Sequence, residues 1–159
     1  MKKSIAALVL AMCWAAHAAE PETTIPSVPL GSEKWIVNPS VPPVMQMMMI
    51  YGAPNKPGPF IFRAKFPPGY KLPPHKHPDV RTVTVLKGTY YSAIGDTFDE
   101  AKLQAFPTGT FYFTPANTGH FSATKDEEVI IQESGEGPES GIKYVNPSDD
   151  PRDDPRGQK

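Results

Sequence analysis

The sequence predicts an all-β protein, a sandwich or barrel of short strands with at most one short helix. Short apolar segments rich in Val, Phe, Tyr and Thr recur along the chain, and most of them are bounded by turn-forming residues, of which there are 20 Pro and 12 Gly. A single segment has helical character. Many short strands with almost no helix are typical of a sandwich or barrel, in which each sheet buries the apolar face of the other.

The predicted elements follow from these turn signals. Pro57-Gly58-Pro59, Pro67-Pro68-Gly69 and Pro107-Thr108-Gly109 mark turns. Thr97 and Glu100 form a capping box, which predicts a short helix over residues 97–104. The predicted strands cover residues 35–37, 44–51, 60–66, 81–94, 110–114, 120–124, 129–134 and 142–145.

The N-terminal segment predicts export. Lys2 and Lys3 precede an apolar run over residues 5–16, and Ala16-His17-Ala18 fits an A-x-A cleavage site. We therefore expect residues 1–18 to be a cleaved signal peptide and the protein to be periplasmic or secreted. An uncleaved anchor helix is the alternative, although the run is short for a membrane span.

The remaining chain is expected to hold one domain. Residues 19–29 are predicted to be a flexible leader rich in Pro and Thr, and residues 30–146 the folded domain. Residues 147–159 carry a repeated Asp-Asp-Pro-Arg unit that cannot bury a core, so a disordered tail is expected.

Charge and cysteine content exclude several functions. Without residues 1–18 the chain has 14 basic and 17 acidic side chains, a net charge of −3. Such a weak charge gives no electrostatic case for binding nucleic acid or a membrane surface. Cys13 is the single cysteine and lies in the predicted signal peptide, which leaves neither a disulfide nor a thiol nucleophile.

Three histidines form the candidate site. His75 and His77 are two residues apart, and on a strand such side chains share a face. His120 begins another predicted strand, and no other histidine remains after removal of the signal peptide. Three imidazoles with open positions beside them are typical of a catalytic metal site. The alternative is a metal-free barrel in which they are ordinary polar residues.

The segments around these histidines resemble the two halves of the cupin signature, in order and at the right spacing. The matching positions are Gly69, His75, His77 and Gly88 in the first half, and Gly109, Pro115 and His120 in the second. The resemblance spans residues 69–124, and the chain is similar to small single-domain bacterial cupins. It implies a small antiparallel jelly-roll barrel of the RmlC-like type, whose metal or ligand lies inside, near one mouth.

The chain departs from the signature at three positions. Asn117 replaces a glycine, which is a mild change because Asn tolerates a positive φ. Thr124 replaces an asparagine. Arg81 stands where the family has a glutamate, so an anionic ligand is exchanged for a cation without a lone pair.

Arg81 has two interpretations. On a regular strand it would share the inward face of His75 and His77 and grip a carboxylate or phosphate of a substrate. Alternatively, a bulge would turn it outward to pair with Asp79 or another acid. Asp79 is also in phase with His77 and could replace the lost oxygen ligand. The catalytic group is unknown, with Arg81 and Asp79 as candidates and Arg81 as the candidate substrate-binding residue.

Further side chains are assigned mainly to the core. Met45, Met47 and Met49 alternate along one predicted strand, which favours core packing, with a Cu(I) site as the alternative. Tyr90 and Tyr91 point to opposite faces, so one of them enters the cavity. Three phenylalanines are also assigned to the core, with the wall of a substrate pocket as the alternative location. They are Phe111, Phe113 and Phe121.

The resemblance implies a divalent transition metal bound by His75, His77 and His120, without choosing among Fe, Mn, Zn, Ni and Cu. It implies dioxygenase or isomerase chemistry on a small organic anion. The alternative function is a non-catalytic protein that binds a metal or small ligand. The expected partner is therefore a small molecule, with neither nucleic acid nor membrane, and whether the barrel forms a homodimer stays open.

Overall fold

Two antiparallel sheets build the molecule. The computed structural model describes residues 24–139 and 141–153, so the predicted signal peptide and residues 19–23 of the predicted leader lie outside it. The strands are β1 Ile36–Val37, β2 Gln46–Tyr51, β3 Gly58–Phe66, β4 Lys71–Lys76, β5 Arg81–Lys87, β6 Thr89–Ile94, β7 Gln104–Pro107, β8 Phe111–Thr114, β9 His120–Ala123, β10 Val129–Gly137 and β11 Lys143–Tyr144. One sheet has the order β1-β2-β3-β10-β5-β8 and the other β11-β4-β9-β6-β7. The predicted all-β class is confirmed.

The core lies between the two sheets because apolar residues alternate along the strands. In β5, Val83 and Val85 are buried, whereas Thr82 and Thr84 on the other face are only partly covered. Phe66 from the six-stranded sheet stacks on Tyr90 from the other, with ring centroids 5.2 Å apart. Each fully buried side chain of this size contributes about 1.5–3 kcal/mol, so such pairs hold the sheets together.

The predicted strand over residues 81–94 is two strands joined by a tight turn. Gly88 separates β5 from β6 and has a φ of +75°. A Cβ at this position would lie 2.8 Å from the carbonyl oxygen of Glu128. Both the left-handed backbone and the close approach therefore require glycine.

Two strands were missed by the sequence analysis, and the helix prediction was wrong. In β4, Pro73 and Pro74 have no N–H, and the pairing with β9 is irregular between Leu72 and His75. Residues 97–104 contain only a 3₁₀ turn at Glu100–Lys102, and the residues from Gln104 onward form β7. Asp99, rather than Thr97, caps this turn by accepting a hydrogen bond from the amide of Ala101.

The prediction for the three phenylalanines was correct at one position. Phe121 is fully buried, but Phe111 and Phe113 are each 62% exposed. They lie on β8, an edge strand whose alternation turns Thr114 and the largely covered Tyr112 toward the interior instead. Met45 is buried and Met47 packs against the core, so the packing assignment is confirmed for these two methionines.

The chain on either side of the barrel is tied to it. Arg63 on β3 donates hydrogen bonds to the carbonyl oxygens of Val28 and Pro29, within the predicted leader. Where a disordered tail was predicted, the structure has 3₁₀ turns at Pro147–Asp149 and Pro151–Asp153, and Arg152 donates to the carbonyl oxygen of Ile142. In the described part of the chain, no helix is both long and apolar enough to span a membrane.

Candidate metal centre

The three histidines meet in the wall of the central cavity. His75 lies near the end of β4, His77 follows that strand, and His120 begins β9 as the cross-strand partner of His75. One ring nitrogen of each histidine lies within 4.8 Å of the other two. A metal at about 2.0–2.1 Å from each nitrogen needs them roughly 3–4 Å apart, so a shift of about 1 Å would close the triad. The structure thus brings the three predicted residues together, and their binding of a metal stays a prediction.

In two of the three histidines, the tautomer of the ring is fixed by a backbone carbonyl two residues earlier. Nδ1 of His75 lies 2.8 Å from the carbonyl oxygen of Pro73, and Nδ1 of His120 lies 3.0 Å from that of Thr118. A carbonyl can only accept, so each Nδ1 carries the proton and each Nε2 keeps its lone pair. This is the tautomer that a metal ligand needs.

The environment keeps these two rings uncharged. Burial lowers the pKa of His75 well below its ordinary value, and the neighbouring His120 and His77 lower it further. Burial likewise lowers the pKa of His120 to about 4. At neutral pH a cation therefore has no proton to displace from either Nε2.

His77 is positioned by its backbone but not by its ring. The amide of Asn117 donates to the carbonyl oxygen of His77 at 2.7 Å. Asn117 has a φ of 57°, which confirms the expectation that asparagine can replace glycine there. Within the described residues, the buried Nδ1 of His77 has no hydrogen-bond partner, and Oε2 of Glu139 lies 3.9 Å away.

Arg81 lies beside the triad at the centre of an ion cluster, which we call the Arg81 cluster and which comprises Arg81, Asp79, Glu133 and Glu139. Its Nε is 2.9 Å from Oδ1 of Asp79, its Nη1 is 2.9 Å from Oε1 of Glu133, and its Nη2 is 2.7 Å from Oε2 of Glu139. The guanidinium also lies over the ring of Phe60. One cation faces three anions, so the Arg81 cluster carries a net charge of −2.

The charges of this cluster stabilise one another. Burial alone would lower the pKa of Arg81, but Glu133, Glu139 and Asp79 outweigh it and raise that pKa. Burial alone would raise the pKa of Glu139, yet contact with His77 and Arg81 holds it below the usual range. Both groups therefore stay ionised at neutral pH.

The structure combines the two interpretations of Arg81. Its side chain is 4% exposed and lines the cavity, and it also pairs with Asp79. Asp79 further accepts a hydrogen bond from the amide of Glu136 and does not belong to the group of side chains that could hold a metal. Its nitrogens already face three carboxylates. Contact of Arg81 with a substrate stays a prediction.

Sequence reasoning missed Glu133 and Glu139. A signal for the Arg81 cluster exists at Gly135, where a Cβ would lie 2.3 Å from Oδ2 of Asp79 and 3.0 Å from Nε of Arg81. Glycine leaves the space that the ion pairs occupy. Glu139 lies in the loop after β10, where no periodicity indicates its direction.

The cavity beside the triad measures about 280 Å³ and is largely apolar. Of the two tyrosines on β6, Tyr90 faces the interior, and its hydroxyl lies 2.6 Å from Oγ of Ser122. Burial raises the pKa of Tyr90, so its phenol stays protonated. The apolar lining includes Met45, Met47, Phe62, Leu72, Val83 and Ile142.

Comparisons with known proteins identify the fold. No family model matches the sequence, and no curated protein matches it. The polyketide cyclase RemF from Streptomyces resistomycificus superposes with a TM-score of 0.65 at 17% identity, covering 80% of this chain and 90% of RemF. KdgF from Halomonas sp. superposes with a TM-score of 0.53 at 17% identity, covering 72% of this chain and 96% of KdgF. A cupin 2 barrel protein from Rhodopseudomonas palustris superposes with a TM-score of 0.54 at 14% identity, covering 69% of this chain and 72% of that protein.

The barrel encloses a cavity, and the three histidines converge in its wall. The fold is the cupin barrel, as the sequence resemblance implied.

Proposed function

We propose that this protein is an exported cupin that binds one divalent transition metal through His75, His77 and His120. The observation that carries the proposal is the convergence of one ring nitrogen from each histidine within 4.8 Å, in a triad where two rings have Nδ1 tied to a carbonyl oxygen. Neutral imidazoles of this kind suit Fe, Mn, Zn, Ni or Cu. When bound, such a metal supplies Lewis-acid chemistry or a site for O₂.

The charges around the triad support a cation. The Arg81 cluster has a net charge of −2 and touches the triad through His77 and Glu139. In a buried site this excess of negative charge favours a divalent cation, because the surroundings screen it far less than water would. Arg81 alone would repel a metal, but its three carboxylates reverse the sign of the local field.

We propose a small organic anion as the ligand, with dioxygenase or isomerase chemistry as the catalytic function. The anionic group would meet the metal, and the apolar lining would cover the remainder of a small molecule. Arg81 and Asp79 would order the site, and Tyr90 would offer a protonated phenol near Ser122.

A second candidate function is binding without turnover. An enzyme of this type needs a proton donor or acceptor beside the metal. Asp79 and Arg81 are paired with each other, and Glu133 and Glu139 also face the guanidinium. These pairings favour a metal or small-ligand carrier, and assays for turnover with the loaded protein separate the two functions.

Metal analysis of protein purified without added metal tests the proposal. We expect about one metal ion per chain, and a sharp loss of metal in His75→Ala, His77→Ala and His120→Ala, with the β fold retained because the barrel buries its own core. Tyr91→Phe, on the outer face of β6, is the matched control. Equal metal content in all variants would show that the histidines are structural.

The same purification tests export. We expect the intact mass of the periplasmic protein to lack residues 1–18, because the N-terminal pattern is that of a cleaved signal. A mass that still includes them would contradict the cleaved-signal assignment without affecting the metal proposal.

A further inference from the structure

His77 differs from the other two histidines in how its ring is held. His75 and His120 each donate Nδ1–H to a backbone carbonyl two residues earlier. His77 follows the end of β4, and the described chain provides no such carbonyl for its Nδ1. A third ligand without a fixed tautomer would present a proton to the metal part of the time.

Three buried polar atoms without a hydrogen-bond partner lie together at this point. They are Nδ1 of His77, Oε2 of Glu139 and Nη2 of Arg81, and in the described ranges the structure gives none of them a partner of good geometry. Nη2 is close to Oε2 at 2.7 Å, but only as an ion pair. Folded proteins rarely leave such atoms unpaired, so the cluster needs a physical explanation.

We propose that Glu139 is a positioning residue for the metal site, whose Oε2 accepts a hydrogen bond from Nδ1–H of His77 and so directs Nε2 of His77 to the metal. This inference rests on the proposed metal-binding function. Closing the present 3.9 Å separation to a hydrogen bond needs a movement of roughly 1 Å. The histidine triad must close by a similar amount to hold a metal.

The surroundings of Glu139 suit this role. Its side chain is 5% exposed, and Nη2 of Arg81 lies 2.7 Å from the same Oε2 that faces His77. A carboxylate that accepts from a metal-bound imidazole fixes the ring and raises the basicity of the ligand nitrogen. Direct ligation by Glu139 is not what the structure indicates, since the side chains grouped around a possible ion in the described chain are the three histidines alone.

Nitrogen-15 NMR of the metal-free protein tests the hydrogen bond without depending on the metal. We expect His77 to be protonated at Nδ1 in the wild type, and to become a mixture of tautomers in Glu139→Met, which has similar length but no acceptor. Glu139→Gln should lie between them because its amide oxygen can still accept. A wild-type His77 protonated at Nε2, or identical spectra in both variants, would overturn the proposal.

Titration with Zn²⁺ as the probe ion provides the second readout. Glu139→Met should bind zinc about 10–100-fold more weakly than the wild type, as expected for loss of such a carboxylate. Glu136→Met removes an exposed carboxylate three residues away and should leave the affinity unchanged. Unchanged affinity in Glu139→Met, with His77→Ala losing zinc, would refute the role of Glu139 alone. Zinc retained by His77→Ala would refute the proposed metal site instead.

Discussion

Two buried arginines in this barrel differ in how their charge is balanced. Arg63 on β3 pairs with one carboxylate, that of Glu33, and otherwise meets only neutral oxygens. Arg81 on β5 faces three carboxylates. The first set of charges sums to zero and fastens the segment at residues 28–33 to the barrel. The second leaves two negative charges in excess, in the one place where three histidines meet.

The difference teaches that a buried ion pair has to be judged by the total charge of its cluster. Burying charge is costly unless it is compensated. The Glu33–Arg63 pair is complete within the described chain, and its role is therefore structural. The Arg81 cluster keeps an excess of two negative charges, which is why it supports the metal proposal.

Removing the cation from the larger cluster should have the greatest effect. Arg81→Met leaves three carboxylates close together in a buried site, and breaking such a pair costs about 3–5 kcal/mol. We expect a large fall in the free energy of unfolding of the metal-free protein, measured by urea denaturation, and partial recovery on adding divalent metal. A loss below that of Arg63→Met would contradict the contrast between the two clusters.

Acidification should destabilise the metal-free protein at the triad. The folded-state pKa of His120 is about 4, lowered by burial from an ordinary 6.5, and that of His75 is also lowered. Below pH 6.5 the unfolded chain therefore binds more protons than the folded one, and stability is lost as the pH falls toward 4. For His120 alone, moving to about pH 5 should cost about 2 kcal/mol.

Urea denaturation at about pH 7.5 and about pH 5 measures this loss. His120→Gln should show a shallower dependence because it removes one titrating group. If the free energy of unfolding falls equally with pH in the variant and the wild type, His120 is not buried in its neutral form. The case that its Nε2 is free for a metal would then be weaker.

At the balanced cluster we expect a smaller loss of stability than at Arg81 and no effect on metal binding. Arg63→Met leaves the acceptors of Glu33 and of the carbonyls at Val28 and Pro29 without their donor, at a cost of about 1–3 kcal/mol. Metal affinity should not change, since this cluster does not reach the triad. Faster proteolysis near residues 28–33 would show that Arg63 fastens this segment, and a change in metal affinity would break the distinction between the two arginines.

The sequence could predict the three histidines of the candidate site because they are specified locally. The spacing of His75 and His77 places them within reach of one point, and the replacement of glycine by Asn117 is compatible with the left-handed backbone observed there. The class of fold follows from short strands and frequent turns. These are properties of neighbouring residues, which a single sequence displays directly.

The rest of the site depends on contacts between distant residues. Glu133 reaches Arg81 because β10 pairs with β5, and nothing in either segment specifies that pairing. The alternation of Phe111 and Phe113 shows that they share a face but not which face is buried, because a shift of one residue exchanges the two. The strand β4 was missed since its Pro73-Pro74 sequence is typical of a turn.

The distribution of the site over the two sheets also determines when it can form. His75 and His120 come from paired strands of the five-stranded sheet, whereas Arg81 and Glu133 come from the six-stranded one. All of these pairs are remote in sequence, and pairing of remote strands is slow because chain closure precedes the gain in contacts. Metal uptake should therefore follow folding rather than nucleate it, and the rate of metal capture after dilution from denaturant would report the last step in the assembly of the barrel.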